Sequence, residues 1–460
     1  MSAKSEVLIS RYLAELVHEI GASQPSIEDR ALVRQHMLDA SAASFIGRRT
    51  KVFDDLTKLC ASVPGGRGWP GGGPERVHSL DAAMVWSFAI HASVFEDGSR
   101  EGACHPAAAV VPTILALAEG RSWLDIDRAA IAGYDVMVRI SRSGNPGFTR
   151  RGFHPTAIGA PFGAAATASL LLGYDTQRTQ NALCLAAMGG SGLMHSFRNG
   201  TTQPLQVAWS VRSGLAAAMM GGCDHSGYLS IIEDAFYPAY LAEQPLVPVD
   251  KALEHGYAIR GSYLKPYPGC RHVHPSIDAL AGILQKTKLE PSQVARIDVR
   301  TYKVAVESEI DSLKQRGDAY FNIPYALAAR IVLGRCDWDA FDERHFTDRR
   351  ILDLMKRVHV RVDPEVERLY PNQRGAIVEV HCLDEIVHSG EVNYALGEPE
   401  SPLPVSMTRE TFRQAAGDTL SRRSMDRVEN MLEVSDMTDS AESLFQVMTG
   451  AAQVLGGMTK

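Results

Sequence analysis

Residues 148–175 read FTRRGFHPTAIGAPFGAAATASLLLGYD, and this stretch decides the fold. It opens with a turn, because Gly152 and Pro155 flank His154 and place it on a bend. A run of glycine and alanine follows directly, and such small side chains let neighbouring helix backbones approach closely. The run therefore predicts a helix in the middle of a helical bundle. The same small-residue character recurs in two further predicted helices, at 179–188 and 204–220.

Two histidines precede predicted helices. His154 starts the central small-residue helix, and His105 stands before Pro106 at the start of another apolar helix. A helix N-terminus favours anions and disfavours an imidazolium ion, so two neutral histidines there would suit a ligand that carries a carboxylate. A histidine at the mouth of a buried bundle is also a candidate general acid or base. The structural alternative for both is helix capping or burial, and for the nearby Glu96 and Asp97 it is a solvated turn.

Composition excludes several classes of protein. The 460 residues carry a formal net charge of −7, which gives no basic surface for nucleic acid. Hydrophobic residues make up 45% of the chain, yet no apolar run approaches the roughly 18 residues that a membrane span needs. The N-terminus has no secretory hydrophobic region, so the chain is predicted to be cytoplasmic. The seven cysteines form no CxxC pair, which argues against a disulfide framework or a zinc ribbon.

The periodicity of the apolar residues predicts two domains. Apolar residues recur at helical spacing through the first half of the chain, at 4–22, 27–46, 80–95 and 125–143. From about residue 290 the pattern alternates as in strands, at 294–306, 359–364, 376–383 and 385–392, with helices predicted at 319–333 and 347–356. Helical spacing returns at 408–458. The sequence is therefore predicted to form a helical domain from 1–267 and 401–460, with an α+β domain at 268–400.

Two further stretches carry notable residues. The Gly/Pro segment 64–74 could cradle a phosphate, but no GK[ST] follows it, and a mobile connector fits better. In the stretch 261–284, Lys265 precedes a double-proline turn, and one cysteine and two histidines follow it at close spacing. A metal centre would need a further ligand there, so none is predicted.

Six motifs, in this order along the chain, resemble those of the MmgE/PrpD family. They are HASVFED (91–97), HPAAAVVPTILALAE (105–119), GFHPTAIGAPFGAAATASLLLG (152–173), TTQPLQVAWSVRSGLAAAMM (201–220), LKPYPGCRHVHPSIDA (264–279) and YFNIPYALA (320–328). That family includes 2-methylcitrate dehydratase, cis-aconitate decarboxylase and iminodisuccinate epimerase. The resemblance implies a mainly α fold, in which a large helical domain built from both chain ends carries an inserted, smaller α+β lid with the site between them. It also implies a homodimer without metal or organic cofactor.

The resemblance also implies the site residues. Those implied to be catalytic are His105, His154, Lys265 and Tyr325, and those implied to bind substrate are Asp97, Gln203, Cys270 and His274. The histidines would form an acid/base pair, the lysine would bind an anion or enolate, and the tyrosine would donate a proton. Five positions depart from the family pattern: Val94 and Glu96 each replace an aspartate, Gly98 a threonine, Gln203 a lysine, and Cys270 a histidine of the decarboxylase branch.

These residues predict a cofactor-free lyase or isomerase. It would transfer a proton at a carbon alpha to a carboxylate or carbonyl of a small molecule, a first step that dehydration, decarboxylation and epimerisation share. Losing a lysine removes a charge-assisted hydrogen bond, so the substrate is not expected to be a standard tricarboxylate. One alternative is an enzyme of secondary metabolism that rearranges or cyclises a more apolar substrate. The other is a catalytically degenerate binding or scaffold protein.

Overall fold

The computed structural model describes residues 8–61, 76–198, 201–245, 247–310 and 312–433. These residues form two compact units. A helical unit contains described residues up to 196, those of 201–263 and those from 405 onward, and a mixed unit contains 264–404. The divisions lie close to the predicted boundaries at 267/268 and 400/401. The predicted connector at 64–74 and the helix predicted beyond 433 lie outside the described residues.

The helical unit contains the small-residue stretch in its core. Its helices are α1 (Ile9–Ala22), α2 (Ile27–Gly47), α3 (Lys51–Ala61), α4 (Ser79–Ala92), α5 (Ala107–Leu117), α6 (Trp123–Gly144), α7 (Gly147–Arg150), α8 (Pro155–Leu171), α9 (Thr176–Ala186), α10 (Gln203–Gly222), α11 (Tyr237–Leu241), α18 (Val405–Ala416) and α19 (Arg422–Met431). A short antiparallel pair joins β1 (Gly98–Ser99) to β2 (Ser262–Tyr263).

Helix α8 lies between α6 and α10 and is buried along almost its whole length. The packing is close enough that a Cβ on Gly214 of α10 would collide with the carbonyl oxygen of Pro161 in α8. A Cβ on Gly163 of α8 would likewise lie 3.0 Å from the Cβ of Met137 in α6. The predicted role of the small residues, close backbone approach in the middle of a bundle, is confirmed.

The chain ends of the helical unit meet at α2 and α18. The ring of Phe45 lies 6.0 Å from that of Phe412, and both side chains are buried. The side-chain amide of Gln35 also donates to the hydroxyl of Thr408 over 3.0 Å. The C-terminal helices thus complete the core that the N-terminal helices begin.

The mixed unit is built on a four-stranded sheet. Its strands are β3 (Val294–Thr301), β4 (Val358–Val362), β5 (Ala376–Cys382) and β6 (Val387–Val392), in the order β4-β3-β5-β6. Strand β3 pairs parallel to β4 and antiparallel to β5, and β5 pairs antiparallel to β6. Its helices are α12 (His274–Lys286), α13 (Lys303–Glu307), α14 (Arg316–Ala319), α15 (Ile323–Leu333), α16 (Arg349–Met355) and α17 (Pro364–Leu369). The fold is therefore mainly α with a small α+β part, as predicted.

Two local predictions in the mixed unit were wrong or incomplete. The strand predicted over 294–306 ends at Thr301, and 303–307 forms a helix, because a short run of consecutive apolar residues such as 304–306 fits either structure. Helix α12 was not predicted, although it covers β5 and β6 with a buried face. Within the described ranges, every helix is too short or too polar to cross a membrane.

Candidate active site

Three histidines of the helical unit lie together. The ring of His91 stacks on that of His154 with centroids 5.6 Å apart, and the ring of His105 lies 5.6 Å from His91 on another side. They come from the last turn of α4, the segment before α5 and the residue that starts α8. We call His91, His105, His154 and the buried Glu96 the histidine cluster. The cluster brings together two predicted catalytic residues and two that were not predicted.

The turn after α4 directs Glu96 back toward His91. Val94 has a φ of 52°, in the left-handed region that a β-branched residue rarely adopts. The Ser93 hydroxyl stabilises this turn by accepting the N–H of Phe95 over 3.0 Å. As a result Glu96 is fully buried with its Oε1 2.8 Å from His91 Nδ1. The solvated turn considered for Glu96 and Asp97 is therefore wrong, since both side chains have no exposed surface.

His91 is held between a carboxylate and an amide. Its Nδ1 donates to Glu96, and its Nε2 lies 2.9 Å from the side-chain amide nitrogen of Gln203 at the start of α10. An amide nitrogen only donates, so Nε2 is the acceptor and the neutral ring carries its proton on Nδ1. Gln203, predicted to bind substrate, thus contacts His91, and its side chain is buried.

His105 is the most exposed ring of the cluster, with 23% of its side chain accessible. Its Nδ1 lies 2.5 Å from the carbonyl oxygen of Asp97, and a carbonyl can only accept, so Nδ1 carries a proton. In the neutral ring, Nε2 then holds the lone pair. The backbone N–H of His105 donates to the hydroxyl of Thr156 in the first turn of α8, which links the segments that carry His105 and His154.

His154 is buried and begins α8, as predicted from the bend before Pro155. Gly152, with a φ of 84°, makes that bend. The side-chain amide nitrogen of Gln206, on α10, lies 3.0 Å from His154 Nδ1. Burial, reinforced by the neighbouring His91 and His105, holds the pKa of His154 well below 6.5. The ring is therefore neutral at physiological pH.

Asp97 is buried in a network of hydrogen bonds within the helical unit. Its Oδ2 accepts from the Tyr134 hydroxyl over 2.6 Å and from His36 Nδ1 over 2.8 Å. Its Oδ1 accepts the backbone N–H of Ala107 over 3.0 Å, at the start of α5. Burial, and after it the charge of Asp97, raises the pKa of Tyr134 well above 10, so the phenol remains a donor. These three donors bind both oxygens and fix the Asp97 side chain beside the segment that carries His105. Its predicted role in substrate binding stays a prediction.

The other predicted site residues lie in the mixed unit. Lys265 is buried. His274 begins α12, and its Nδ1 accepts from Arg271, which also pairs with the buried Glu398 over 3.0 Å. The backbone N–H of Cys270 donates to the Tyr320 carbonyl, and burial raises the pKa of the Cys270 thiol.

Tyr325 is buried, and its hydroxyl bonds to the backbone of the mixed unit. Its hydroxyl donates to the carbonyl oxygen of Ala340 over 2.7 Å, and its ring packs against Phe341 and Phe346. The side chain has no exposed surface, and burial raises the pKa of its hydroxyl. The hydrogen bond and the aromatic packing anchor the Tyr325 side chain within the mixed unit. Its role as a proton donor stays a prediction.

Profiles of known families match both parts of the chain. The MmgE/PrpD N-terminal domain matches residues 11–246, and the MmgE/PrpD C-terminal domain matches residues 267–437. The chain belongs to the MmgE/PrpD family.

Individual relatives of this MmgE/PrpD protein are distant but match along most of their length. A cis-aconitate decarboxylase of Homo sapiens is 24% identical over 449 residues, which cover 93% of this chain and 91% of the relative. A cis-aconitate decarboxylase of Aspergillus terreus is 23% identical over 452 residues, covering 90% of each chain. The cis-aconitate decarboxylase-like protein oryM of Aspergillus oryzae is 20% identical over 488 residues, covering 96% of this chain and 97% of the relative.

Three members of this MmgE/PrpD site were missed from the sequence: His91, Glu96 and Gln206. The signal was available, because His91 and Glu96 stand five residues apart in the HASVFED motif and Gln206 follows Gln203 by one helical turn. The contacts themselves are visible only in the folded structure, where His91 bonds to Glu96 and Gln206 bonds to His154.

Metal-ligating geometry occurs elsewhere in this family member. Among the described histidine, cysteine, aspartate and glutamate side chains, the group whose ligating atoms all lie within 4.8 Å of one another is Asp298, Glu379 and His381 on β3 and β5. Arg296 pairs with Asp298 over 2.8 Å and Arg300 with Glu379 over 3.4 Å. Two guanidinium groups already neutralise these carboxylates, so the group is a surface ion-pair network.

Proposed function

We propose that this chain is a lyase or isomerase that moves a proton at the carbon next to a carboxylate or carbonyl of a small molecule, using side chains alone. The observation that carries the proposal is the histidine cluster. It combines an accessible imidazole, His105, with a buried neutral one, His154, at the starts of two helices. Membership of the MmgE/PrpD family and the distant cis-aconitate decarboxylase relatives support this class of reaction.

In the proposed reaction His105 and His154 form the acid/base pair. Removal of the proton sends the electron pair onto the neighbouring carboxyl or carbonyl oxygen, and the resulting enolate is stabilised by a hydrogen-bond donor. Loss of water or return of the proton to the other face can follow from that intermediate. Loss of CO2 would instead leave the electron pair of the C–C bond on the carbon as an enolate, which the acid of the pair then protonates. The anion-binding role of Lys265 remains a separate prediction, under which Lys265→Ala raises KM as well as lowering kcat.

Deuterium wash-in tests the proposal. The purified protein is incubated in D2O with a panel of mono-, di- and tricarboxylic acids, and exchange at carbon is followed by mass spectrometry. Incorporation into at least one acid, abolished in His105→Asn, is the expected result. If no acid exchanges and none is consumed, the protein acts as the degenerate binding or scaffold protein considered above, and the proposal fails.

We further propose that the substrate carries fewer negative charges than a tricarboxylate. The support is Gln203, a neutral amide bound to His91 where the family pattern has a lysine, together with Val94 in place of an aspartate. The expected result is that cis-aconitate and 2-methylcitrate are poor substrates. Turnover of either at the usual enzymatic rate of roughly 1–1000 per second would contradict this. The same substitutions favour the second candidate, rearrangement or cyclisation of a more apolar molecule in secondary metabolism.

We also propose that the protein is a homodimer. Large apolar side chains are exposed near the end of α9 and along α10, notably Met188, Trp209 and Met220. An exposed apolar surface of this kind is typical of an interface. Light scattering at micromolar concentration is expected to give twice the chain mass, and Trp209→Glu is expected to lower it. Tyr228→Glu, which changes an exposed aromatic residue outside α10, is the matched control, and a wild-type monomer would contradict the proposal.

A further inference from the structure

We propose that Gln206 is a positioning residue that keeps the proton of His154 on Nε2, so that His154 is the hydrogen-bond donor and His105 the base in the first proton transfer. This inference rests on the proposed function and deepens it, because that function leaves open which histidine accepts the proton. The observations that support the inference are the hydrogen bonds made by the imidazole rings of His154 and His105.

The orientation of the Gln206 amide is fixed by its second partner. Its Oε1 accepts the backbone N–H of Leu193 over 2.8 Å, and an amide nitrogen could not accept that bond. The oxygen end therefore belongs at Leu193, which leaves the NH2 group at His154 Nδ1, 3.0 Å away. Since that group can only donate, Nδ1 is an acceptor, and the proton of the neutral His154 ring is on Nε2.

The backbone of His154 is held by the same segment that orients Gln206. The N–H of His154 donates to the Gly192 carbonyl over 3.0 Å, and the N–H of Met194 donates to the Gly152 carbonyl over 2.9 Å. These bonds form an antiparallel bridge on either side of Leu193. Both the ring and the backbone of His154 are thus fixed by one short segment and one side chain of α10.

His105 is held in the opposite tautomer. Its Nδ1–H donates to the Asp97 carbonyl, so its lone pair is on Nε2. The Asp97 side chain is anchored by Tyr134, His36 and the N–H of Ala107, which fixes the position of that carbonyl. In the neutral rings, Nε2 of His154 therefore carries the proton and Nε2 of His105 carries the lone pair.

The two tautomers give the two histidines different roles in the proposed reaction. His105 Nε2 takes the proton from the carbon and becomes an imidazolium ion, whose charge lies near Glu96, with Oε1 3.6 Å from His105 Nδ1. The electron pair of the broken C–H bond moves to the substrate oxygen. The Nε2–H of His154 donates a hydrogen bond to that oxygen. His154 therefore needs no second proton, which agrees with its lowered pKa.

The test reads the tautomer directly. In protein labelled with ¹⁵N-histidine, long-range ¹H–¹⁵N spectra distinguish a protonated from an unprotonated ring nitrogen, and comparison with His154→Asn assigns the signals. The wild type is expected to show His154 protonated on Nε2 only. Gln206→Glu replaces the donor with an acceptor and is expected to move the proton to Nδ1. Gln206→Met removes the donor at similar size and is expected to give a mixture of the two forms.

Activity is measured on the same variants. Gln206→Glu is expected to slow exchange at carbon by about a hundredfold, the effect of losing one donor at a developing oxyanion. Gln180→Glu is the matched control, because the buried Gln180 amide, on α9, donates to Ser10 and not to a histidine. It should leave both the His154 spectrum and the rate unchanged.

Failure of this inference is distinct from failure of the proposed function. A wild-type His154 protonated on Nδ1, or a Gln206→Met variant with unchanged tautomer and rate, overturns the role of Gln206 even if the protein is an active enzyme. Absence of exchange with every acid overturns the proposed function, whatever the tautomer. If Gln206→Glu does not fold, the wild-type and Gln206→Met spectra still decide the question.

Discussion

Each unit of the molecule buries a group of histidines, and the two groups differ in the charge of their partners. In the helical unit, His91 contacts the carboxylate of Glu96. In the mixed unit, His272 contacts the hydroxyl of Tyr302 over 2.6 Å, and His274 accepts from the guanidinium of Arg271. Burial, together with Arg374 and Arg271, lowers the pKa of His272 to about 3.

Burial alone therefore does not suit a histidine to proton transfer. A ring beside a carboxylate can take up a proton because the positive charge that forms is compensated, whereas a ring beside a guanidinium is kept neutral. The histidine cluster of the helical unit is thus suited to transfer protons. The histidines of the mixed unit are suited to filling space and accepting hydrogen bonds among fixed cations.

The largest expected effect separates the two groups by rate. His105→Asn is expected to lower kcat at least about a hundredfold, the low end for a positioned acid or base, with little change in Tm because the ring is partly exposed. His272→Asn, its counterpart in the mixed unit, is expected to lower Tm and to leave activity per folded molecule nearly unchanged. Steady-state kinetics and thermal unfolding give kcat and Tm for both variants. Equal losses of kcat in the two variants would contradict the difference between the two groups of histidines.

His154 is a less clear test than His105. Because its ring is buried between other residues, replacing it is expected to cost stability as well as activity. His105→Asn therefore separates an effect on activity from an effect on folding more cleanly than His154→Asn does.

A second, smaller effect concerns pH. The folded-state pKa of His272 lies below the 6.5 of an unburied histidine, so unfolding takes up a proton between those two values. Its contribution to stability is complete above about pH 6.5 and is lost as the pH falls toward 3, with a slope of up to about 1.4 kcal/mol per pH unit for each such group. The pKa values of His154 and His274 are lowered in the same direction.

Urea unfolding between about pH 7 and pH 5 checks this prediction. The free energy of unfolding is expected to fall as the pH falls through the ordinary histidine range. His272→Asn is expected to flatten that dependence. A free energy that rises on acidification would contradict the assignment of these rings as buried and neutral.

The smallest expected effect comes from backbone strain. Val94→Gly is expected to stabilise the protein by about 1 kcal/mol, because glycine adopts the left-handed conformation without the cost that valine bears there. Glu385→Gly, in the β5–β6 turn of the mixed unit, is the matched control, since Glu385 has a φ of 67°. Thermal unfolding should show a gain in both variants. Only Val94→Gly should alter kcat, because only that turn positions Glu96.

The sequence predicted the helices better than the site. The small-residue spacing of 155–171 and 203–222 identified the core helices because close backbone approach requires glycine and alanine at defined positions. His154 and His105 were found because each is adjacent to a proline that begins a helix. Glu96 was considered as part of a solvated turn, since local sequence does not show that a turn is enclosed by α4, α5 and α10.

The tertiary contacts of two predicted site residues also could not be predicted from the sequence. Asp97 and Tyr325 were predicted to act on substrate because their motifs resemble those of the family. Their hydrogen bonds to Tyr134 and to the Ala340 carbonyl depend on residues 37 and 15 positions away, and such pairings follow only from the tertiary packing.

The contact between α2 and α18 also has a consequence for how the protein is made. Gln35 and Thr408, which bond across it, are 373 residues apart in the chain. At the usual 5–20 residues per second, a ribosome needs roughly 20 to 75 seconds to travel that distance. Until then Phe412 has not been synthesised, and the apolar face of α2 around Phe45 lacks this contact. The nascent chain therefore exposes this apolar surface for most of its synthesis. The yield of folded protein in cells is expected to depend on chaperones that bind this surface during translation.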